Sequence, residues 1–163
     1  MDIHVRPAIE TDLPGILDIT NEVVANGTAS FDLDPRTMDE ELEWVKQFTG
    51  PYALLVADDG GEVVAWGCLH PYGGKPGYRF TTENSVYIRE GHRGQGLGHL
   101  VMTALIETAK ANGFHAMISR ITTDNTASIA LHASHGYKQI GLEREVGYKF
   151  ERWLDVAVMQ LLL

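Results

Sequence analysis

Cysteine is nearly absent from this chain. Cys68 is the only one in 163 residues, so no internal disulfide can form. It lies in the strand-like run Val63-Val64-Ala65-Trp66-Gly67-Cys68-Leu69 and reads as an inert core thiol. No apolar run reaches the length of a membrane span, and no basic-then-apolar leader opens the chain. Repeats, linkers and low-complexity tracts are also missing. Positive charge is scarce: 13 Lys and Arg stand against 22 Asp and Glu, a net charge of -9, which argues against a nucleic-acid partner. The expectation is one soluble, cytoplasmic domain over residues 1–163, large enough for a core without metal or disulfide staples.

The acidity is uneven. Between Ser30 and Glu62 nine acids face only Arg36 and Lys46, whereas the stretch Ser85 to Gly113 carries Arg89 and Arg93 beside His92 and His99. That second stretch organises the rest. Ser85-Val86-Tyr87-Ile88 reads as a buried strand, Arg89 to Gly98 as a glycine-rich loop, and Leu97, Leu100, Val101, Ala104, Leu105, Thr108 and Ala109 recur at helical spacing up to a cap at Gly113.

Strand, glycine loop and helix in that order make an anion site. The first helical turn has unpaired N–H groups and a positive dipole end, and glycine lets a phosphate approach the backbone. Gly94, Gly96 and Gly98 occupy the places where a β-carbon is expected to obstruct that approach. A Walker loop needs a Gly-Lys-Ser/Thr ending, which is absent, and the sixth position of a dinucleotide fingerprint counted from Gly94 is His99.

What remains, Arg93-Gly94-Gln95-Gly96-Leu97-Gly98, resembles the acetyl-CoA loop of the Gcn5-related N-acetyltransferases, whose pattern is Arg/Gln-x-x-Gly-x-Gly/Ala. A second block follows in Asn125-Thr126-Ala127-Ser128 and Ala130 to Tyr137. Within the superfamily the chain looks most like the phosphinothricin and methionine sulfone/sulfoximine acetyltransferases. The matching pieces are Asn26 to Phe31, Tyr78-Arg79-x-Thr81-x-Glu83-x-Ser85-Val86-Tyr87, and Val146 to Asp155.

Taken in order, Ile3 to Pro7 suggests a strand with His4 as a solvated residue. Thr11 is a candidate cap for a helix reaching Asn26, and Thr37-x-x-Glu40 is a capping-box signature for a second. Tyr52–Ala57 and Glu62–Leu69 read as a hairpin around Asp58-Asp59-Gly60-Gly61, and His70 to Gly77 as a turn-rich loop. Tyr78–Ile88 and His115–Ile121 read as strands. Asn125 caps a short helix ending at Gly136, and Tyr137–Val146 and Arg152–Leu161 close the chain as antiparallel strands. About seven strands and four helices imply an α/β (α+β) three-layer sandwich around a mixed sheet. The resemblance adds that this is the acyl-CoA N-acyltransferase fold, with its fourth and fifth strands splayed and the thioester of acetyl-CoA in the gap.

Acetyl transfer needs a deprotonated amine, a polarised carbonyl and a leaving thiolate, passing through a tetrahedral intermediate. The resemblance implies Glu83 as base, with a surface glutamate as the plain alternative. Backbone N–H groups of Val86, Tyr87 and Ile88 are expected to hold the oxyanion. His132 is either a general acid toward the thiolate or a packing residue. Arg93 to His99 are expected to bind the cofactor, with Asn125 and Ser128 beside the pantetheine. Phe31, Tyr78 and Trp153 are candidate acceptor-pocket walls, Phe31 being equally a core plug. Arg79 is the candidate cation for an acceptor carboxylate. On a strand starting at Tyr78, Arg79 and Glu83 share a side about 13 Å apart. Substrate readings are a small amino acid or analogue, a peptide N-terminus or amine, or no substrate at all in a non-catalytic acyl-CoA sensor. A homodimer is expected, because relatives are dimers and a C-terminal strand ending Leu161-Leu162-Leu163 is a poor thing to leave exposed.

Overall fold

The computed structural model describes residues 2–163. One mixed sheet of seven strands runs through the molecule in the order β1-β2-β3-β4-β5-β7-β6. These strands are β1 (Ile3–Pro7), β2 (Leu54–Asp59), β3 (Glu62–Pro71), β4 (Thr81–Ile88), β5 (Ala116–Thr122), β6 (Lys138–Lys149) and β7 (Arg152–Leu162). Among the described residues only the β4–β5 pair is parallel. Helices α1 (Leu13–Asn26) and α2 (Met38–Val45) cover one face, α3 (Leu97–Ala111) and α4 (Thr126–Ser134) the other. Each face has its own core: Ile16, Ile19, Val56, Trp66 and Cys68 beneath α1, and Leu69, Val101, Met102, Leu105 and Met117 beneath α3. This is the expected three-layer sandwich.

Local chemistry explains most boundaries. Thr37 Oγ1 accepts from the N–H of Glu40 while the Glu40 carboxylate accepts from the N–H of Thr37, closing the capping box of α2. Asn125 Oδ1 accepts from Ser128 N–H at 3.2 Å and opens α4. Gly60 and Gly61 take φ of +62° and +98°, as a tight hairpin turn between β2 and β3 requires.

Four expectations are corrected. Thr11 caps nothing: it sits in a 3-10 turn over Glu10–Asp12, and Asp12 precedes α1 with its carboxylate committed to Arg6 (2.6 and 2.9 Å) and to the N–H of Ile9. β3 continues past Leu69 to Pro71, so His70 is a strand residue. β4 begins only at Thr81, because Pro76 initiates a 3-10 turn over Pro76–Tyr78 and Arg79 keeps helical dihedrals. The 13 Å separation of Arg79 from Glu83, which assumed continuous strand, therefore falls. Finally, the C-terminal strand is no open edge, since β7 lies between β5 and β6 with Leu161 packed on the core; β6 is the outer strand.

Candidate active site

The central geometric feature is a fork. β4 and β5 pair only through Thr81↔Ala116, Thr82↔Met117 and Glu83↔Ile118, and beyond Glu83 they part. The hydrogen-bond parity of β4 follows from its ends. Phe80 C=O accepts from His115 N–H on the β5 side, and Arg89 N–H donates to Val64 C=O on the β3 side. Even-numbered residues of β4 thus direct their backbone groups toward β5 and odd-numbered ones toward β3. Past the fork, the N–H groups of Val86 and Ile88 face the gap without a strand partner. Tyr87 N–H faces β3 opposite Trp66, so the expectation that it is free is corrected.

Side chains alternate independently of this. Asn84, Val86 and Ile88 lie on the α3–α4 face; Glu83, Ser85 and Tyr87 lie on the α1–α2 face. Glu83 and His132, the two catalytic candidates, therefore stand on opposite faces of the sheet.

On the α3–α4 face, His132 is 2% exposed and held at both nitrogens. Tyr137 Oη donates to Asn84 Oδ1 at 2.8 Å, Asn84 Nδ2 donates to His132 Nε2 at 3.0 Å, and His132 Nδ1 donates to Ser128 C=O at 2.7 Å. This chain of bonds fixes the neutral ring with its proton on Nδ1. Burial pushes the imidazole below the ordinary histidine pKa, against the opposing pull of the Ser128 carbonyl. Tyr137, buried beside it, is pushed up by the same cause.

The glycine loop leads into α3 on this face. Gly96 is the N-cap at φ +83° and offers no side chain to the first-turn N–H groups of Leu97, Gly98 and His99. Gly94 has φ +74°, and a β-carbon at either Gly94 or Gly96 would meet nothing within 4 Å, so the loop's outer surface is an open cradle. Gly98 differs from expectation: a β-carbon there would lie 3.0 Å from Leu131 and 3.4 Å from Ile88, so its smallness serves helix packing. Leu97 points into the core, leaving only its backbone to the loop surface. Gln95 Nε2 braces the loop through Gly91 C=O at 3.1 Å, and Arg93 stands 3.9 Å from Glu22. His99 stacks on His135 at 5.1 Å between centroids.

On the α1–α2 face, Ser85 and Tyr87 line a cavity of about 120 Å³ together with Cys68, His70, Trp66, Asp32 and Arg36. Tyr87 Oη donates to Ala29 C=O at 3.2 Å, and burial pushes its phenol up to about 12. Cys68 is pushed up to about 12 by burial as well, which fits the inert thiol expected of it. The Arg36 guanidinium lies 4.7 Å over Trp44 and reaches Glu41 at 2.5 Å. Glu41 is fully buried, and desolvation raises its pKa despite that arginine.

The remaining acceptor candidates, Phe31, Tyr78, Arg79 and Trp153, are not brought into the lining of this cavity. Phe31 is no core plug: it is 40% exposed and lies across Gly147, where a β-carbon would come within 2.2 Å of its ring. Lys149 Nζ donates to Ser30 C=O at 2.9 Å, so the β6–β7 hairpin grips the loop after α1. Tyr78 packs edge-on against Tyr72, Trp153 tilts against Tyr148 at 4.8 Å, and Arg79 covers Phe80 at 4.4 Å; all three are exposed. Sequence reasoning passed over Arg36, His70 and Asn84. His70 was recoverable from alternation, since it continues Trp66 and Cys68 by steps of two. A second groove, about 820 Å³ between β1, β2, α2 and α3, takes no residue from β4.

Residues 19–137 match the Acetyltransferase (GNAT) family. The chain belongs to the GNAT acetyltransferase family. It is 41% identical over 163 residues to the L-methionine sulfoximine/L-methionine sulfone acetyltransferase of Pseudomonas aeruginosa, covering 99% of this chain and 95% of that one. It is 36% identical to the phosphinothricin N-acetyltransferase of Streptomyces coelicolor, covering 96% and 94%. Among solved structures, a GNAT-superfamily phosphinothricin acetyltransferase from Sinorhizobium meliloti in complex with acetyl-CoA superposes with a TM-score of 0.94 at 33% identity, covering 100% of this chain and 89% of that one. As a member of the GNAT family the chain is an acetyltransferase.

Proposed function

We propose that the protein transfers an acetyl group from acetyl-CoA to the amino group of a small amino acid or analogue, of the methionine sulfone, methionine sulfoximine or phosphinothricin class. The observation that carries this reading is the fork itself, with unpaired backbone donors in the gap, an open glycine-loop surface at the α3 N-terminus on one face and a small polar cavity on the other. The full-length likeness to enzymes named for those substrates supports the acceptor class. A cavity of about 120 Å³ suits a small acceptor better than a peptide.

Acetyl-CoA supplies an activated carbonyl and a thiolate leaving group. The backbone of Gly94 to Gly96 and the first-turn N–H groups of α3 receive its pyrophosphate, where the helix dipole favours negative charge. Arg93, exposed beside the loop, and His99 flank that site. Val86 and Ile88 N–H point at the developing oxyanion. Asn125 and Ser128 order α4 beside the pantetheine and fix the carbonyl that locks His132. That locked ring carries no proton on the nitrogen facing Asn84, so His132 positions Asn84 and the β4 backbone, and the thiolate, with a reference acidity near 8.5, leaves without it. Glu83 stands at the fork on the acceptor face and takes the proton from the amine.

Arg79, exposed two residues before β4, meets the acceptor carboxylate, and Tyr78, Phe31 and Trp153 are the outer walls of the acceptor site. The lone buried thiol agrees with a cytoplasmic setting. A homodimer joins through the β6–β7 surface, where Ile140, Leu142, Val146, Tyr148, Phe150 and Trp153 are all exposed. Following acetyl-CoA consumption over a panel of amino acids, their sulfone, sulfoximine and phosphinate analogues, and matching amines without a carboxylate tests the acceptor. Turnover is expected for the amino acids, and Arg79→Ala should raise their KM about tenfold or more while leaving the amines unaffected, one charged hydrogen bond being worth roughly 1.5–3 kcal/mol. Equal effects on both sets would move the carboxylate role to Arg36, the cation that lines the cavity.

A further inference from the structure

His70 is a titrating residue that this mechanism does not use. Because β3 runs to Pro71, His70 keeps the alternation of Trp66 and Cys68 and lies on the acceptor face. Its partner across the ladder is Glu83. The parity of β4 makes this a hydrogen-bonded pair, with the two Cα atoms about 5.5 Å apart and both side chains on one face. His70 and Glu83 are each partly buried, and the ring lines the small cavity.

We infer that His70 and Glu83 work as one proton-accepting pair, Glu83 meeting the acceptor amine and His70 sharing the proton behind it. The inference rests on the acceptor-side reading of Glu83 given above. The titratable and charged groups facing His70 are Glu83 and Tyr87 from β4, Cys68 from its own strand, and Asp32 and Arg36 from the segment joining α1 to α2. Tyr87 and Cys68, both pushed up to about 12, stay neutral near neutral pH. Arg36 is engaged by Glu41 at 2.5 Å and by Asp32 at 3.8 Å. Glu83 is thus the charge that governs the ring. Burial pushes His70 below the ordinary histidine value, and the Glu83 carboxylate opposes that push, so at neutral pH the ring is unprotonated and able to accept.

The pairing answers a chemical difficulty. A lone carboxylate, with a reference pKa near 4.3, is a weak acceptor for an ammonium proton, whereas imidazole near 6.5 is better matched to neutral operation. In the step, the nitrogen–carbon bond forms and the carbon–sulfur bond breaks. The ammonium first gives one proton to Glu83, shared with His70 and returned to solvent; the nitrogen then attacks, the electron pair of the broken bond leaves on sulfur, and the second nitrogen proton goes by way of solvent to the departing thiolate. His70 acts through Glu83 and is a positioning and proton-sharing residue.

The pairing is read directly by NMR titration of the imidazole resonances in the wild-type protein and in Glu83→Gln, with His70 assigned by the signal missing from His70→Asn. The midpoint of His70 should fall measurably when the Glu83 charge is removed, since that charge favours the protonated ring; equal midpoints would overturn the pairing. This comparison needs no substrate, so an error in the acceptor class leaves it unaffected. The proton role is read from kcat/KM against pH with an amino-acid acceptor. His70→Asn should lose about tenfold or more and the inflection in the histidine range should vanish. His70→Gln, closer in size, should do the same. Profiles parallel to wild type in both variants would overturn the proton-sharing role.

Discussion

On the α3–α4 face of the fork, Tyr137, Asn84, His132 and Ser128 form a closed chain of hydrogen bonds. On the α1–α2 face, His70, Asp32 and Arg36 stand around open space, with Glu83 paired across the ladder to His70. The first arrangement leaves no polar group of the chain seeking a partner and holds a neutral histidine in one tautomer. The second keeps charge and unspent hydrogen-bonding capacity near a cavity. Buried polar groups that are satisfied rigidify a structure, whereas groups kept ready for a ligand are where chemistry is done. On the function proposed above, the first face holds β4 and the cofactor side in shape and the second accepts a proton.

The comparison breaks most completely at the loop. Gly96→Val places a branched side chain at φ +83°, in a cradle that backbone alone now lines, and should abolish measurable acetyl-CoA binding by calorimetry. Gly98→Ala, two residues along, adds a methyl group 3.0 Å from Leu131; its effect should appear in thermal stability and leave acetyl-CoA affinity within about threefold of wild type, because overpacking acts on the core. Loss of affinity in both, or in neither, would remove the distinction between cradle and packing glycine.

A smaller effect sharpens the contrast of the faces. His132→Gln leaves Asn84 and the Ser128 carbonyl with altered partners and should cost about 1–3 kcal/mol of stability. The pH dependence follows from sign. Burial lowers the folded-state pKa of His132, so its contribution is full above the ordinary histidine value near 6.5 and is lost as the pH falls below it. The thermal stability of the wild type should fall between about pH 7 and pH 5, and His132→Gln should flatten that slope. His70, lowered in the same direction, leaves a remnant. An unchanged slope in the variant would show that His132 is not the buried neutral ring described.

Much of this was legible in the sequence because it is local. Glycines at positive φ, the Thr37–Glu40 box, the Asn125 cap and the change from strand to helical period are all written within a few neighbouring residues. The misreadings share another cause. Thr11 has the right chemistry for a cap, but Asp12 was recruited by Arg6 across a tertiary contact. Tyr78 looked like strand until Pro76 turned the chain. Gly98 looked like part of the cradle because one-dimensional spacing does not show Leu131 packed against it. The separation of Glu83 from His132 by the sheet depends on strand order, and the pairing of His70 with Glu83 on register. No property of either residue alone carries that information.

The central claim, that proton removal belongs to the α1–α2 face and cofactor binding to the other, is tested most directly by Glu83→Gln. The substitution keeps the shape and removes the accepting charge. The account predicts a fall in kcat of roughly a hundredfold or more near neutral pH, with the dissociation constant for acetyl-CoA unchanged. Turnover equal to wild type across the pH range, or a loss that appears in acetyl-CoA affinity instead, would contradict it.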